Sequence, residues 1–298
     1  MQRRDFIGSG SALLGLALMP HSAAASAGSG PATGRSGAIE PLTIKNIVIG
    51  AGQPKMIVST TASHGEAVKE FVRQQAKRPE PAAIELRLDL LDNGEDAAAM
   101  AQLTRELYAM LPHKLLLVTF RTQAEGGDKA LDDQRYGELC HQLLTRGRMD
   151  LLDIEMYRGK PRVTQLIALA HRQGVRVILS SHDFHQTPSQ EDIIARLRQQ
   201  QAMGADILKF AAMPHHAEDV LRMLCATLEM AQRYAQRPLL TMSMGGLGAL
   251  SRLAGELSGS ALTFGMAGSA SAPGQLEAGE LSATLAMLHS ALSSEKPA

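Results

Sequence analysis

The chain has 298 residues, 45% hydrophobic and 20% charged, which suits one large globular α/β domain and excludes wholesale disorder or a disulfide miniprotein. Thirty Lys and Arg balance thirty Asp and Glu, so no net charge draws it to nucleic acid or anionic lipid; with no Trp, four Tyr and six Phe, it has little to stack on bases or sugars. Cys140 and Cys225 are its only cysteines, too few for a zinc cluster or a disulfide framework.

Residues 1–27 read as an export signal. Arg3-Arg4 precede Asp5-Phe6-Ile7, an apolar run from Ser11 to Met19, and the small-residue cleavage pattern Ala25-Ser26-Ala27. The arginine pair before a Phe-Ile start resembles a twin-arginine signal, with general secretory export or a misplaced start as the alternatives. The apolar run is too short to span a bilayer and carries no Cys for a lipid, so no stable membrane anchor is expected after cleavage. Such a leader implies a periplasmic or exported protein. Residues 28–41, rich in Gly, Ser and Ala at first, read as a flexible tether, and 42–295 as the folded domain.

Past the tether, Thr43–Ile49 predicts a short N-terminal strand. Eight further strands follow in order: Met56–Ser59, Ala83–Asp89, Leu115–Arg121, Leu151–Glu155, Val175–Ser180, Ile207–Ala211, Leu239–Met244 and Ala261–Phe264. Between them, apolar residues recur at helical spacing, as in Leu103, Leu107, Met110 and Leu111, or Tyr136, Leu139, Cys140, Leu143 and Leu144. Val163, Leu166, Ile167 and Ala170 make another stripe, as do Ile193, Ile194 and Leu197, and then Val220, Leu221, Leu224, Cys225 and Leu228. Leu281, Leu285, Leu288 and Leu292 close the chain. Both cysteines lie on such stripes and are expected as buried thiols. Thr187-Pro188-Ser189-Gln190 predicts a helix start with Thr187 as N-cap. Eight βα repeats require a parallel sheet covered on both faces, and they favour a single-domain (β/α)8 TIM barrel. No G-x-G-x-x-G follows the first strand, which argues against a dinucleotide fold.

In a barrel, alternate strand residues face the helices or the interior, and chemistry gathers at the C-terminal strand ends. On the second strand Ile84, Leu86 and Leu88 share one face, while Glu85, Arg87 and Asp89 share the other. Three polar residues in succession point inward, unless this is a solvated edge strand. On the sixth strand Leu208 and Phe210 face the helices and Lys209 faces inward, the only lysine between Lys160 and Lys296. Burial of a solitary amine favours its neutral form, the one that attacks a ketone to give an iminium; a lysine snorkelling to water is the alternative.

The fifth strand runs into Ser181-His182-Asp183-Phe184-His185, and neighbouring strands lie about 4.8 Å apart. His182 can then stand near Lys209 and move protons. His182 and His185 alone are too few ligands for a metal. Glu125, on the Gly-flexed loop after Arg121, can reach His182 and keep it protonated or oriented. Arg252, after the seventh strand, and Ser271 to Gln275, after the eighth, suit a carboxylate held by a guanidinium under a closing loop.

In this order the residues resemble type I 3-dehydroquinate dehydratase, a Schiff-base barrel enzyme. The segments are Glu85-Leu86-Arg87-Leu88-Asp89, Thr119-Phe120-Arg121 with Glu125-Gly126-Gly127, His182-Asp183-Phe184-His185, Lys209 with Met213-Pro214, Ser251-Arg252-Leu253-Ala254-Gly255-Glu256, and Ser271-Ala272-Pro273-Gly274-Gln275, spread over Thr43 to Leu292. The resemblance implies an imine between Lys209 and the C3 ketone of 3-dehydroquinate, with His182 as the acid–base group and Glu125 tuning it. It implies that Arg252, Ser271 and Gln275 hold the carboxylate, that Glu85, Arg87 and Arg121 hold ring hydroxyls, and that Ser59 also contacts substrate. Product would be 3-dehydroshikimate and water, with no metal or diffusible cofactor; family members are commonly dimers, so a homodimer is admitted. Two departures stand out. Met244-Gly245-Gly246-Leu247-Gly248-Ala249 replaces a Lys-Thr-Gly type turn, and the leader is foreign to a cytoplasmic biosynthetic enzyme, pointing instead to quinate catabolism. A class I aldolase and an exported, non-catalytic hydroxy-acid binding protein are the competing functions.

Overall fold

The computed structural model describes residues 39–294; the expected export signal and the tether as far as residue 38 lie outside them. Ile39 already packs on the core, and Glu40 N donates to Gln236 O. The reading of Thr43–Ile49 as one strand is corrected. The segment is a hairpin, β1 (Leu42–Ile44) antiparallel to β2 (Ile47–Ile49), with Lys45 at φ 53° in its turn. Lys45 Nζ donates to the carbonyls of Leu111 and Lys114 and to Asp150 Oδ2, all just ahead of strands. The hairpin thereby closes the N-terminal end of the barrel, and Ile49 joins the interior apolar cluster.

The βα units follow: β3 (Lys55–Ser59), α1 (Gly65–Lys77), β4 (Pro81–Arg87), α2 (Ala97–Met110), β5 (Leu115–Thr119), α3 (Asp133–Arg146), β6 (Leu151–Glu155), α4 (Lys160–Arg172), β7 (Arg176–Asp183), α5 (Gln190–Ala202), β8 (Ile207–Ala212), α6 (Ala217–Arg233) and β9 (Leu239–Ser243). Two short helices, α7 (Ala249–Leu253) and α8 (Gly255–Ser258), lead to β10 (Leu262–Met266), β11 (Leu276–Glu277) and α9 (Ala278–Ser294). Strands pair in parallel in the order β11-β10-β3-β4-β5-β6-β7-β8-β9. The sheet curls until its edges meet: Leu239 bridges Ser260, and Ala261 N donates to Leu239 O at 2.8 Å. The fold is a single TIM-barrel-like α/β domain.

Period-two alternation sorts the strands. Ile84, Leu86, Leu88, Leu208 and Phe210 lie in the cluster under the helices, and Ala83, Ile178, Ile207, Leu240 and Phe264 in the interior one. Each fully buried Leu or Ile contributes about 1.5–3 kcal/mol, so a one-residue slip in any strand would put several such contributions against charged neighbours. Above that apolar floor, the inward positions turn polar.

Several local expectations change. On α6 the buried face is Val220, Met223, Ala226, Thr227 and Met230, while Leu221 is 55% and Leu228 37% exposed. Two apolar stripes compete on this helix, and the barrel accepts the one whose Thr227 hydroxyl bonds Met223 O and meets Thr241. Cys225 rides on the other stripe and is exposed; only Cys140 is buried, its thiol pushed up to about 12 by burial. The α5 cap is Ser189, which accepts from Asp192 N, whereas Thr187 donates to Met213 O. Finally, β7 continues to Asp183, so His182 sits on regular strand, and β5 stops at Thr119, leaving Arg121 beyond it.

Candidate active site

The C-terminal strand ends enclose a cavity lined by Glu85, Arg87, Arg121, Glu125, His182, Lys209, Arg252, Ser271 and Gln275, with Phe184, Met242, Met244 and Phe264 as apolar wall. Lys209 stands in register with Ser180 on β7 and Leu240 on β9. The expectation of a solitary amine is corrected: Asp153 Oδ2 lies 2.8 Å from Nζ, with the Phe264 ring centroid 5.0 Å away. Lys209 and Asp153 form a buried pair. Burial alone would raise the Asp153 carboxyl, but Arg121 and Lys209 hold it well below the usual range.

His182 lies two residues along β7 from Ser180, in register with Ala211, and therefore nearer the mouth than Lys209. Its Nδ1 is 2.8 Å from Glu125 Oε2, at the end of the 3₁₀ turn Gln123–Glu125. Burial pushes Glu125 up to about 8 despite Arg121. Burial, reinforced by Arg121 and Lys209, also holds the imidazole well below its usual pKa. Glu125 is thus placed to orient His182 through Nδ1, while burial works against the charged imidazole. A neutral imidazole is the form that accepts a proton.

Arg121 is engaged more deeply than a free substrate contact. Its Nη2 donates to Asp153 Oδ1 at 2.7 Å, and its Nη1 to Glu155 Oε1 at 3.1 Å and Ser180 Oγ at 3.0 Å. Burial would lower this guanidinium's pKa, but Asp153, Glu155 and Glu125 keep it well above the ordinary value. Glu85 accepts from Ser59 Oγ at 2.5 Å and Thr119 Oγ1 at 2.7 Å. Ser59 is set back from the cavity lining, so it reaches the site only through Glu85. Arg87 forks onto Asp89 at 2.9 and 2.7 Å and points Nη1 at Ser271 O.

Arg252 is the anomaly. It is 2% exposed, and its contacts are Met242 Sδ at 3.5 Å and Pro273 O at 3.1 Å, while Nε has no partner. Among the described residues no carboxylate pairs with it, and burial pulls it down to about 10. An uncompensated buried cation facing a cavity calls for an anionic ligand.

The loop over it is already folded inward. Ser271 N donates to Gln275 Oε1 at 2.9 Å, and Gln275 Nε2 to Ser271 Oγ at 3.0 Å. Gly245 N donates to Pro273 O, and a Cβ on Gly274 (φ 76°) would stand 2.0 Å from Gly245 O. The Met244–Ala249 departure is therefore the seat of this loop. Away from the cavity, His185 is exposed and its carbonyl accepts from His215 Nε2. Among the described residues no group of three or more His, Cys, Asp or Glu is placed to hold a metal.

Sequence reasoning overlooked Asp153, Glu155 and Ser180. The signal was present, since Leu151–Glu155 alternates Leu152 and Ile154 with two acids as β4 alternates its own set.

Comparison with known proteins gives one consistent answer. Residues 56–291 match the family model for type I 3-dehydroquinase. A 3-dehydroquinate dehydratase of Shigella dysenteriae is 44% identical, over 85% of this chain and all of that one. Its counterpart in Enterococcus faecalis is 46% identical, over 80% of this chain and 94% of that one. Among solved structures, the type I 3-dehydroquinate dehydratase of Clostridium difficile, bearing covalently modified comenic acid, superposes with a TM-score of 0.82 at 39% identity, covering 85% of this chain and 99% of that one.

Proposed function

The chain belongs to the type I 3-dehydroquinase family, and from that membership we propose that it removes water from 3-dehydroquinate through an imine on Lys209. The observation that carries this reading is Arg252, a buried cation with no carboxylate partner among the described residues, in the same cavity as the Lys209–Asp153 pair and His182. A cyclic hydroxy acid supplies the missing carboxylate, with Ser271 and Gln275 turning their donors to it. Its hydroxyls meet Glu85 and Arg87, which the geometry leaves at the cavity wall.

Lys209 gives up a proton to a neighbouring base, His182 being in the same cavity, and the freed amine adds to the C3 ketone. The proton returns to the carbinolamine hydroxyl, which leaves as water, and the resulting iminium puts a positive charge next to Asp153. That makes Asp153 the counter-ion of the iminium, fixed by Arg121 and Ser180. His182 then takes the C2 proton, and the electron pair moves into the iminium to form an enamine. The enamine returns the pair as the C1 hydroxyl leaves, and His182 gives its proton to that oxygen, which departs as water. One group serving as base and then acid puts both losses on one ring face, a syn elimination. A second water hydrolyses the conjugated iminium, restores Lys209 and releases 3-dehydroshikimate. The imine is itself the electron sink, so the sequence of steps calls for no metal or diffusible cofactor.

The twin-arginine-like leader supports a periplasmic setting, with dehydroquinate formed from quinate outside the inner membrane. Fractionation that finds the native protein only in cytosol, leader intact, overturns that placement. The chemical test is reductive trapping: substrate plus borohydride should add the dehydrated or intact ring mass to Lys209, and Lys209→Ala should show neither adduct nor turnover. Binding without an adduct would support the non-catalytic alternative, and wild-type turnover in Lys209→Ala would end the imine mechanism.

A further inference from the structure

Two residues beyond His182, just past the end of β7, Phe184 lays its ring on the turn that carries Glu125. A Cβ built on Gly126 would lie 2.1 Å from Phe184 Cζ, 2.3 Å from Cε2 and 2.8 Å from Cε1. Any side chain at position 126 would displace the ring, and Gly126 also holds φ 81°, a conformation that side chains rarely adopt. On its other side the ring stacks toward His182, centroids 6.2 Å apart and planes at 29°, and it packs against the interior apolar cluster. One aromatic ring therefore lies beside both ends of the Glu125–His182 bond, stacked toward the imidazole and seated on the residue next to Glu125, where a glycine admits it.

We propose that Phe184, seated against Gly126, is a positioning residue that keeps water from the Glu125–His182 pair and so holds the imidazole in its proton-accepting form. This rests on the reading of His182 as the base. The charged groups around the imidazole are Glu125 and Arg121 after β5, Asp153 and Glu155 on β6, Lys209 on β8 and Arg87 on β4; Asp183, next along β7, has Arg196 as its ion-pair partner. All of them stay when Phe184 is shortened, so a change in titration reports water entering, not a charge removed. Burial is the leading cause both of the lowered imidazole and of the raised carboxyl, which is what a desolvating cover produces.

The test compares kcat/KM against pH for wild type, Phe184→Ala and Phe184→Leu, with borohydride trapping on each. Phe184→Ala should still trap substrate on Lys209, but its acid limb should move up by about one pH unit or more, as the rehydrated imidazole titrates nearer its ordinary value. Phe184→Leu, apolar and bulky, should keep the limb near wild type. Gly126→Ala, which pushes the ring away while retaining it, should copy Phe184→Ala and serves if that variant fails to fold. A uniform loss of rate with an unmoved acid limb, beside an intact wild-type imine, overturns the cover. Absence of the imine in wild type overturns the base reading as well.

Discussion

Replacing Arg252 by Met should separate binding from stability, because the two move in opposite directions. Arg252 has no anionic partner among the described residues and is held down to about 10 from an ordinary 12.5 by burial. That difference corresponds to roughly 3 kcal/mol against the folded state. A depressed cation penalises folding at every pH below its folded value, so the term is constant through neutrality. Met keeps most of the volume and gives up the contacts to Met242 Sδ and Pro273 O, worth about 1 kcal/mol each. The balance predicts a variant no less stable than wild type and up to about 2 kcal/mol more so, a rise of a few degrees in Tm by calorimetry. Substrate should suffer the reverse. Truncating one member of a buried charge pair costs about 2–5 kcal/mol, which is roughly 30-fold to several-thousand-fold in kcat/KM. A carboxylate-bearing substrate analogue that raises the Tm of wild type should not raise that of Arg252→Met. A variant several kcal/mol less stable that still binds the analogue would show that the guanidinium is structural and refute the argument.

His182→Ala should still give a borohydride-trapped adduct on Lys209 but turn over about 10²–10⁴-fold more slowly, seen by single-turnover absorbance of the conjugated product. Lys209→Ala should lose turnover yet keep its far-ultraviolet dichroism, since Asp153 retains Arg121 and Ser180 as partners. Asp153→Asn should slow adduct formation and lower stability by about 3–5 kcal/mol in denaturant titrations at pH 7, as breaking a buried ion network does. Asp153 has a depressed folded pKa, so its contribution is present above its unfolded value near pH 4 and fades as pH falls toward the folded one. The asparagine variant should lack that part of the acid dependence.

Much of the site could be read from the chain because strand alternation is a local property. Once Ala83–Asp89 and Ile207–Ala211 are strands, Glu85, Arg87 and Lys209 must share the face opposite Leu86 and Leu208, whatever surrounds them. The barrel was legible for a different reason, the eightfold alternation of short apolar runs with stripes at helical spacing. Local pattern could not rank the two apolar stripes of α6, because each is a plausible buried face and only contact with β9 selects Val220, Met223 and Thr227. It could not see a hairpin in Thr43–Ile49, where a single left-handed residue, Lys45, reverses the chain.

What the residues determined by themselves was therefore which side chains point inward, and with them the chemical inventory of the cavity. Which of those side chains face each other was decided only by closure of the sheet. Register across β5, β6, β7 and β8 brings Asp153 to Lys209 and to Arg121, and the turn after β5 carries Glu125 to His182. Partners this far apart in sequence leave no periodic trace, and their charges acquire their protonation only from the shared burial that the folded barrel imposes.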